Sequence, residues 1–270
     1  MYKQYGNLVL LSFNFLTDCG IPNRGNVPTK KIGRSLTDIG EYPWQARIMI
    51  FALDFMITVQ CQVGIMFDSP DLSRRIGCGG TLISNRHVLT HVECVDFDSY
   101  SDYVLLGDTA IGVDANTNRV IEISKYILHD DISINLVILE LAEQAPLDQY
   151  PNIKPVCLPT SGADFSDFEG IVTGWAYNGV NGYNSWLHEF NVSVVEMDDK
   201  LTEKSGKNFC YGDTGSPLIV SDPVNNNGLT LIGVTDKNDC SSVLTFTKVS
   251  ILRDWIDSVI INAATCPPPP

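Results

Sequence analysis

The sequence predicts an all-β fold closed by a single helix, and two patterns predict it. Apolar residues gather in short runs rich in β-branched and aromatic side chains, as at Val104–Leu106, Val120–Leu128 and Asn135–Leu141, and polar stretches separate them. Helical spacing occurs near the end, where Ile251, Leu252, Trp255, Ile256, Val259 and Ile260 form one apolar stripe. At 270 residues, 44% hydrophobic and 19% charged, the chain can bury a large core in one or two domains.

Residues 1–18 hold Lys3 and then the apolar run Leu8–Leu16, too short to span a bilayer and read as a weak secretory leader or a truncated start. Residues 19–30 read as a pro-segment or linker with Pro and Gly, running into the dibasic Lys30 and Lys31. Ile48–Val63 is apolar with β-branched and aromatic residues, which predicts two strands around a turn, and Asp68–Arg75 is a polar loop whose tip carries Arg74 and Arg75. The loop Gly107–Arg119 holds Asp108 and Asp114 without a spaced carboxylate set, so it reads as an ordinary turn rather than a calcium site. Val120–Leu128 alternates cleanly around Glu122 and Ser124. Ser250 stands where a cap for the terminal helix belongs, and the tail 263–270, ending in four prolines, cannot continue it.

The chemistry-bearing motifs lie elsewhere. Cys210, Tyr211, Gly212, Asp213, Thr214, Gly215, Ser216 and Pro217 resemble the nucleophile loop of chymotrypsin- and trypsin-like serine peptidases, in which Ser holds the place of Thr214. Cys78–Cys94, reading CGGTLISNRHVLTHVEC, resembles the histidine segment of that family, with Glu93 at the histidine position. Asn135–Leu141 resembles the run that opens on the family's catalytic aspartate, with Asn135 at that position, although Asp131, Ile132, Ser133, Ile134 mimics the same motif in another register. Pro155–Pro159 and Val172–Trp175 match the connection between the family's two barrels and the start of the second.

The resemblance covers nearly everything from Cys19 to Ile261 and implies two antiparallel six-stranded β-barrels with a C-terminal helix, in a domain over 31–262 divided roughly into 31–145 and 146–262. Eight cysteines, an even number, fit an oxidising compartment. By the resemblance Cys78 pairs with Cys94, Cys210 with Cys240 and Cys19 with Cys157; Cys61 and Cys266 are left to pair with each other or to link two molecules. The activation site falls at Lys31 and Ile32, whose new amino terminus would pair with Asp213. Lys31 at that terminus brings a second charge into a buried site, whereas cleavage after Lys31 exposes Ile32 instead; Asp213 then either finds an ammonium partner or is a relic paired with backbone donors. Asn208 stands at the base of the specificity pocket, and Thr235, Asp236 and Lys237 replace the Ser, Trp and Gly of its wall.

All three triad positions are thus substituted. Threonine can be a nucleophile beside a base, but a carboxylate at 93 does not relay the hydroxyl proton as a neutral imidazole does, and Asn135 carries no charge to stabilise an imidazolium. The expectation is a catalytically inactive, arthropod-like serine protease homolog, secreted and acting by protein binding; a weak hydrolase using Thr214 and a remnant oxyanion loop at Gly212, Asp213 and Thr214 is the alternative. His91 reads as a core histidine and His129 as a surface one, so neither supplies the missing base. A formal charge of −14 and a pI near 4.5 disfavour nucleic acid and anionic lipid and suit a basic protein partner. No cofactor or metal is expected. Asn191, in the sequon Asn191, Val192, Ser193, is a glycan acceptor beside a predicted strand.

Overall fold

The computed structural model describes residues 35–36, 45–50, 63–66, 75–95, 97, 102–107, 119–150, 152–174, 187–203, 214–223, 228–236 and 244–266. These form two antiparallel barrels. In the first, β2 (Gln45–Ile50), β4 (Arg75–Leu82), β5 (His87–His91), β6 (Asp102–Leu106), β7 (Arg119–Leu128) and β8 (Leu136–Leu141) follow one another in the order β2, β6, β7, β8, β5, β4, and β2 pairs with β4 to close the ring. The second ring runs through β9 (Glu169–Gly174), β12 (Pro217–Asp222), β13 (Gly228–Thr235), β14 (Thr245–Lys248), β11 (Lys200–Glu203) and β10 (His188–Met197), closed by β10 on β9. Each ring carries one appended strand: β3 (Val63–Met66) on β4, and β1 (Ser35–Leu36) on β10. Arg75, read as part of a loop, opens β4 opposite Met66.

The alternation in the sequence matches what is buried. On β7, Ile121 and Ile123 face the core while Val120, Glu122 and Ser124 are exposed. β5 is buried along its whole length, with Val88 and Leu89 in the core and His87 held by Ser84, whose Oγ lies 2.8 Å from His87 Nδ1. The second barrel encloses Val172, Val194, Leu201, Leu218 and Phe246. Lys248 and Glu196 form an ion pair at its end, and Glu196 Oε1 also accepts from the Phe165 amide at 2.8 Å.

The terminal helix α1 (Arg253–Ile260) buries Ile256 and Ile260, one turn apart, in the cluster that contains the first-barrel core. Ser250 is not its cap. The residue lies in a 3-10 turn, Ser250–Leu252, and its hydroxyl donates to the Ala163 carbonyl instead; among the described residues no side chain caps α1, whose N-cap position falls on Leu252, which has no side-chain acceptor.

Two disulfides occur among the described residues. Cys78–Cys94 ties β4 to the turn after β5. Cys157 pairs with Cys266, and this corrects both Cys19–Cys157 and Cys61–Cys266. The reason is where α1 delivers the chain end. After the helix, Ala263 N donates to Ile260 O, and residue 264 is pinned to Asn85 by a bond in each direction, Asn85 N to Ala264 O and Ala264 N to Asn85 Oδ1. Cys157 is fixed opposite by its bridge to Thr230 on β13, so the two Cα atoms stand 5.0 Å apart, within bonding range. Cys19, Cys61, Cys210 and Cys240 lie outside the described residues.

Burial pushes the His87 imidazole below its ordinary value; Glu140 opposes the shift and Arg86 adds to it. The unfolded chain therefore binds the proton more readily. The stability this group contributes is complete above the unfolded value near 6.5 and is lost as pH falls through the lower folded value, with a slope of at most about 1.4 kcal/mol per pH unit. Urea denaturation at a series of pH values from neutral to mildly acidic should show a shallower acid loss in His87→Gln than in the native protein; equal slopes would remove His87 from the account.

Candidate functional site

The site forms where the loop before β12 meets the first barrel. Gly215 has φ +78°, a conformation that favours glycine, and a Cβ there would meet the Gly79 carbonyl oxygen at 2.3 Å and Thr90 Oγ1 at 2.4 Å. The loop is fastened on both sides. Gly79 N donates to Thr214 O at 2.7 Å, Gly215 N donates to Thr235 O at 2.9 Å, and Thr90 Oγ1 donates to Gly79 O at 2.7 Å. Gly79 is required in turn, since a Cβ on it would lie 2.2 Å from Ser216 Oγ. That hydroxyl is fully buried and has no hydrogen-bond partner among the described residues.

Glu93 lies in a 3-10 turn, Val92–Cys94, that follows β5; its backbone amide donates to His91 Nδ1 at 3.2 Å, and its side chain is exposed. The bond fixes the imidazole of His91, itself 3% exposed, with Nδ1 as the acceptor, and so orients the ring within the core. Asn135 immediately precedes β8, and its carbonyl accepts from Val92 N at 2.9 Å. Cys94 Sγ lies 3.5 Å from Thr214 O, a contact and not a donated bond, because the sulfur is in the disulfide. These links draw Glu93, Asn135 and Thr214 to one seam between the barrels. Thr214 itself is only 8% exposed.

Asp131, the other register for the acid, has a different role. Its Oδ1 accepts from Ser133 N at 2.9 Å and Ser133 Oγ at 2.8 Å, and these bonds hold the exposed carboxyl below the usual carboxylate range. It caps a turn, while the bond from Val92 goes to Asn135. His129 donates no help to the seam: it accepts from Asp131 N through Nδ1 and packs edge-on against Trp255 with ring centroids 5.1 Å apart.

One cluster was not foreseen from sequence. Asp236, directly after β13, accepts at Oδ1 from Lys200 Nζ at 3.0 Å and from Thr247 Oγ1 at 2.7 Å, while Lys200 Nζ also donates to Thr247 Oγ1 at 2.8 Å. Nothing local connects Lys200, on β11, with Asp236; the barrel brings them together through β14, where Lys200 is opposite Thr247. Lys200 and Asp236 thus form an ion pair whose side chains are 32% and 15% exposed. Asn208, Gly212, Asp213, Lys31 and Ile32 lie outside the described residues. Among the described residues, no three His, Cys, Asp or Glu side chains stand together as metal ligands do.

The comparison with protein families bears on the whole of this arrangement: the Trypsin family model matches residues 54–256. The chain belongs to the trypsin family. Relatives within that family include the proclotting enzyme of Tachypleus tridentatus, 27% identical over 88% of this chain and 68% of its own length. A trypsin of Phaedon cochleariae is 29% identical over 67% of this chain and 77% of its own length, and the venom serine protease Bi-VSP of Bombus ignitus is 29% identical over 75% and 59%. Trypsin-family architecture explains why the two glycines, Gly79 and Gly215, remain at the seam: the barrels approach too closely there for any Cβ.

Proposed function

We propose that this trypsin-family chain is a secreted pseudo-peptidase, which acts by binding another protein as a cofactor, decoy or regulator of a peptidase cascade. One observation carries the reading. The bonds Val92 N to Asn135 O and Gly79 N to Thr214 O anchor the three segments to one another, so the substitutions fall on the positions that would have to relay a proton, and none of the three is an imidazole. The exposed Glu93 and the buried Thr214 support the same conclusion. Secretion is supported by two disulfides in the described residues. A partner protein, rather than a small substrate, is supported by the Lys200–Asp236 ion pair on the wall where a peptide would add as a strand. A formal charge of −14 favours a partner with a basic surface. The name of one relative, a proclotting enzyme, supports a role of this kind.

A weak hydrolase using Thr214 is the second reading, and the retained Gly215 turn is what favours it. Hydrolysis of a broad peptide-ester library by the purified protein, before and after limited tryptic cleavage near Lys31, distinguishes the two. The expected result is no turnover above that of Thr214→Ala in either form. Turnover that disappears in Thr214→Ala would overturn the pseudo-peptidase and make Thr214 the nucleophile.

A further inference from the structure

We propose that Asn191 carries an N-linked oligosaccharide and that this oligosaccharide guards the dibasic Lys30, Lys31 site against trypsin-like peptidases. The inference rests on the secretory reading above and is independent of whether the chain is catalytic.

The sequon lies within β10, where the period of two decides which side chains a modifying enzyme and its product meet. Val192 points into the second barrel and is 2% exposed. Asn191 and Ser193 therefore share the outer face: Asn191 is exposed, and the half-exposed Ser193 donates through Oγ to Glu169 Oε1 at 2.7 Å, at the exposed start of β9. Across the ladder, Asn191 is opposite Ile171. An oligosaccharide on this amide projects into solvent and leaves the barrel packing on the far side of the strand untouched.

The reaction joins Asn191 Nδ2 to the anomeric carbon of an oligosaccharide whose donor is a lipid diphosphate. The sugar–oxygen bond to that diphosphate breaks, the lipid diphosphate leaves, and the amide gives up one proton; no oxidant or reductant is involved. The acceptor meets such a donor in the same secretory compartment in which Cys78–Cys94 and Cys157–Cys266 form.

The guarding role follows from β1. Ser35 pairs with Glu189, which lies on the same outer face of β10 as Asn191 and two residues from it, about 7 Å along the strand. Lys31 precedes Ser35 by four residues, so at most about 14 Å of chain separates them, whatever path that chain takes. A peptidase cutting after Lys30 or Lys31 must lay several flanking residues into its cleft as an extended strand. The bulky, hydrated group stands next to β1, within the reach of that length of chain.

The test uses the full chain secreted from a eukaryotic host. The Asn191 peptide should carry an oligosaccharide that an N-glycosidase removes with conversion of Asn191 to aspartate; Asn191→Gln and Ser193→Ala should lack it, and Ser193→Thr should keep it. Trypsin titration followed by amino-terminal sequencing should then show cleavage after Lys30 or Lys31 several-fold faster in the enzymatically deglycosylated protein and in Ser193→Ala than in the glycosylated protein. An unmodified Asn191 in secreted protein, or a chain retained in the cytosol, would overturn the site. Equal cleavage rates with and without the oligosaccharide would overturn the guarding role. Neither outcome touches the peptide-ester assay, so failure here is separable from failure of the pseudo-peptidase reading.

Discussion

The triple variant Glu93→His, Asn135→Asp, Thr214→Ser should become labelled by a fluorophosphonate probe, whereas the native protein stays at background. The expected gain is at least about a thousandfold in labelling rate, because each triad member contributes several orders of magnitude and the group acts as a unit. Among the described residues, part of the backbone that such a triad needs is held by hydrogen bonds. Val92 N holds the carbonyl of residue 135, Gly79 N holds the carbonyl of residue 214, and Gly215 keeps the turn that presents residue 214. Only the side chains that hold and move the proton are being supplied. Each single substitution should gain far less, since a serine without a base, or a base without an orienting acid, leaves the relay incomplete. Peptide turnover should rise much less than labelling, because Asp236 and its Lys200 partner still occupy the wall that receives the substrate strand. A folded triple variant that remains unlabelled would mean that the seam differs from an active site in more than its side chains.

The second large effect concerns the chain end. Removing the Cys157–Cys266 bridge by Cys266→Ser should lower the unfolding free energy by about 2–5 kcal/mol, the range for native disulfides in secreted domains. The bridge spans a sequence separation of 109, and in the chain-entropy account a loop near that length constrains the unfolded state by about 4.7 kcal/mol. In a domain of this size that corresponds to a fall in Tm on the order of 10 °C. Cys157→Ser should match it, and the double variant should add nothing further, since both remove one bond. Calorimetry of the three variants checks this. If Cys266→Ser were silent while Cys19→Ser reproduced the loss, the pairing of Cys157 with the amino-terminal segment would be restored.

Much of the fold was legible because the features that specify it are local. Alternation on β7, the apolar run of β8, buried except at Glu140, and the stripe through Ile256 and Ile260 each belong to a few consecutive residues, and those patterns decide strand, helix and inward face without reference to anything distant. The seam was legible for a related reason. Cys78–Cys94 and the loop through Thr214, Gly215 and Ser216 are dense motifs, and the glycines in them answer to close backbone approach. The resemblance that those motifs carry assigned Glu93, Asn135 and Thr214 their positions, and backbone hydrogen bonds join the segments that hold them.

What only the tertiary structure decided involves residues far apart in the chain. Cysteine count requires pairs but cannot choose among them; Cys157 takes Cys266 because α1 and the Asn85 contacts return the chain end to the inter-barrel connection. Ser250 resembles a cap in sequence, yet its hydroxyl is claimed by the Ala163 carbonyl across the fold. Asp236 takes Lys200 and Thr247 as partners because β14 brings them to it across the barrel. Local propensity acts through neighbouring backbone dihedrals and side-chain alternation, so it is written in short windows of sequence. Partner choice over tens of residues depends on where closed barrels put the ends of their strands, and that distance is set only when the rings close.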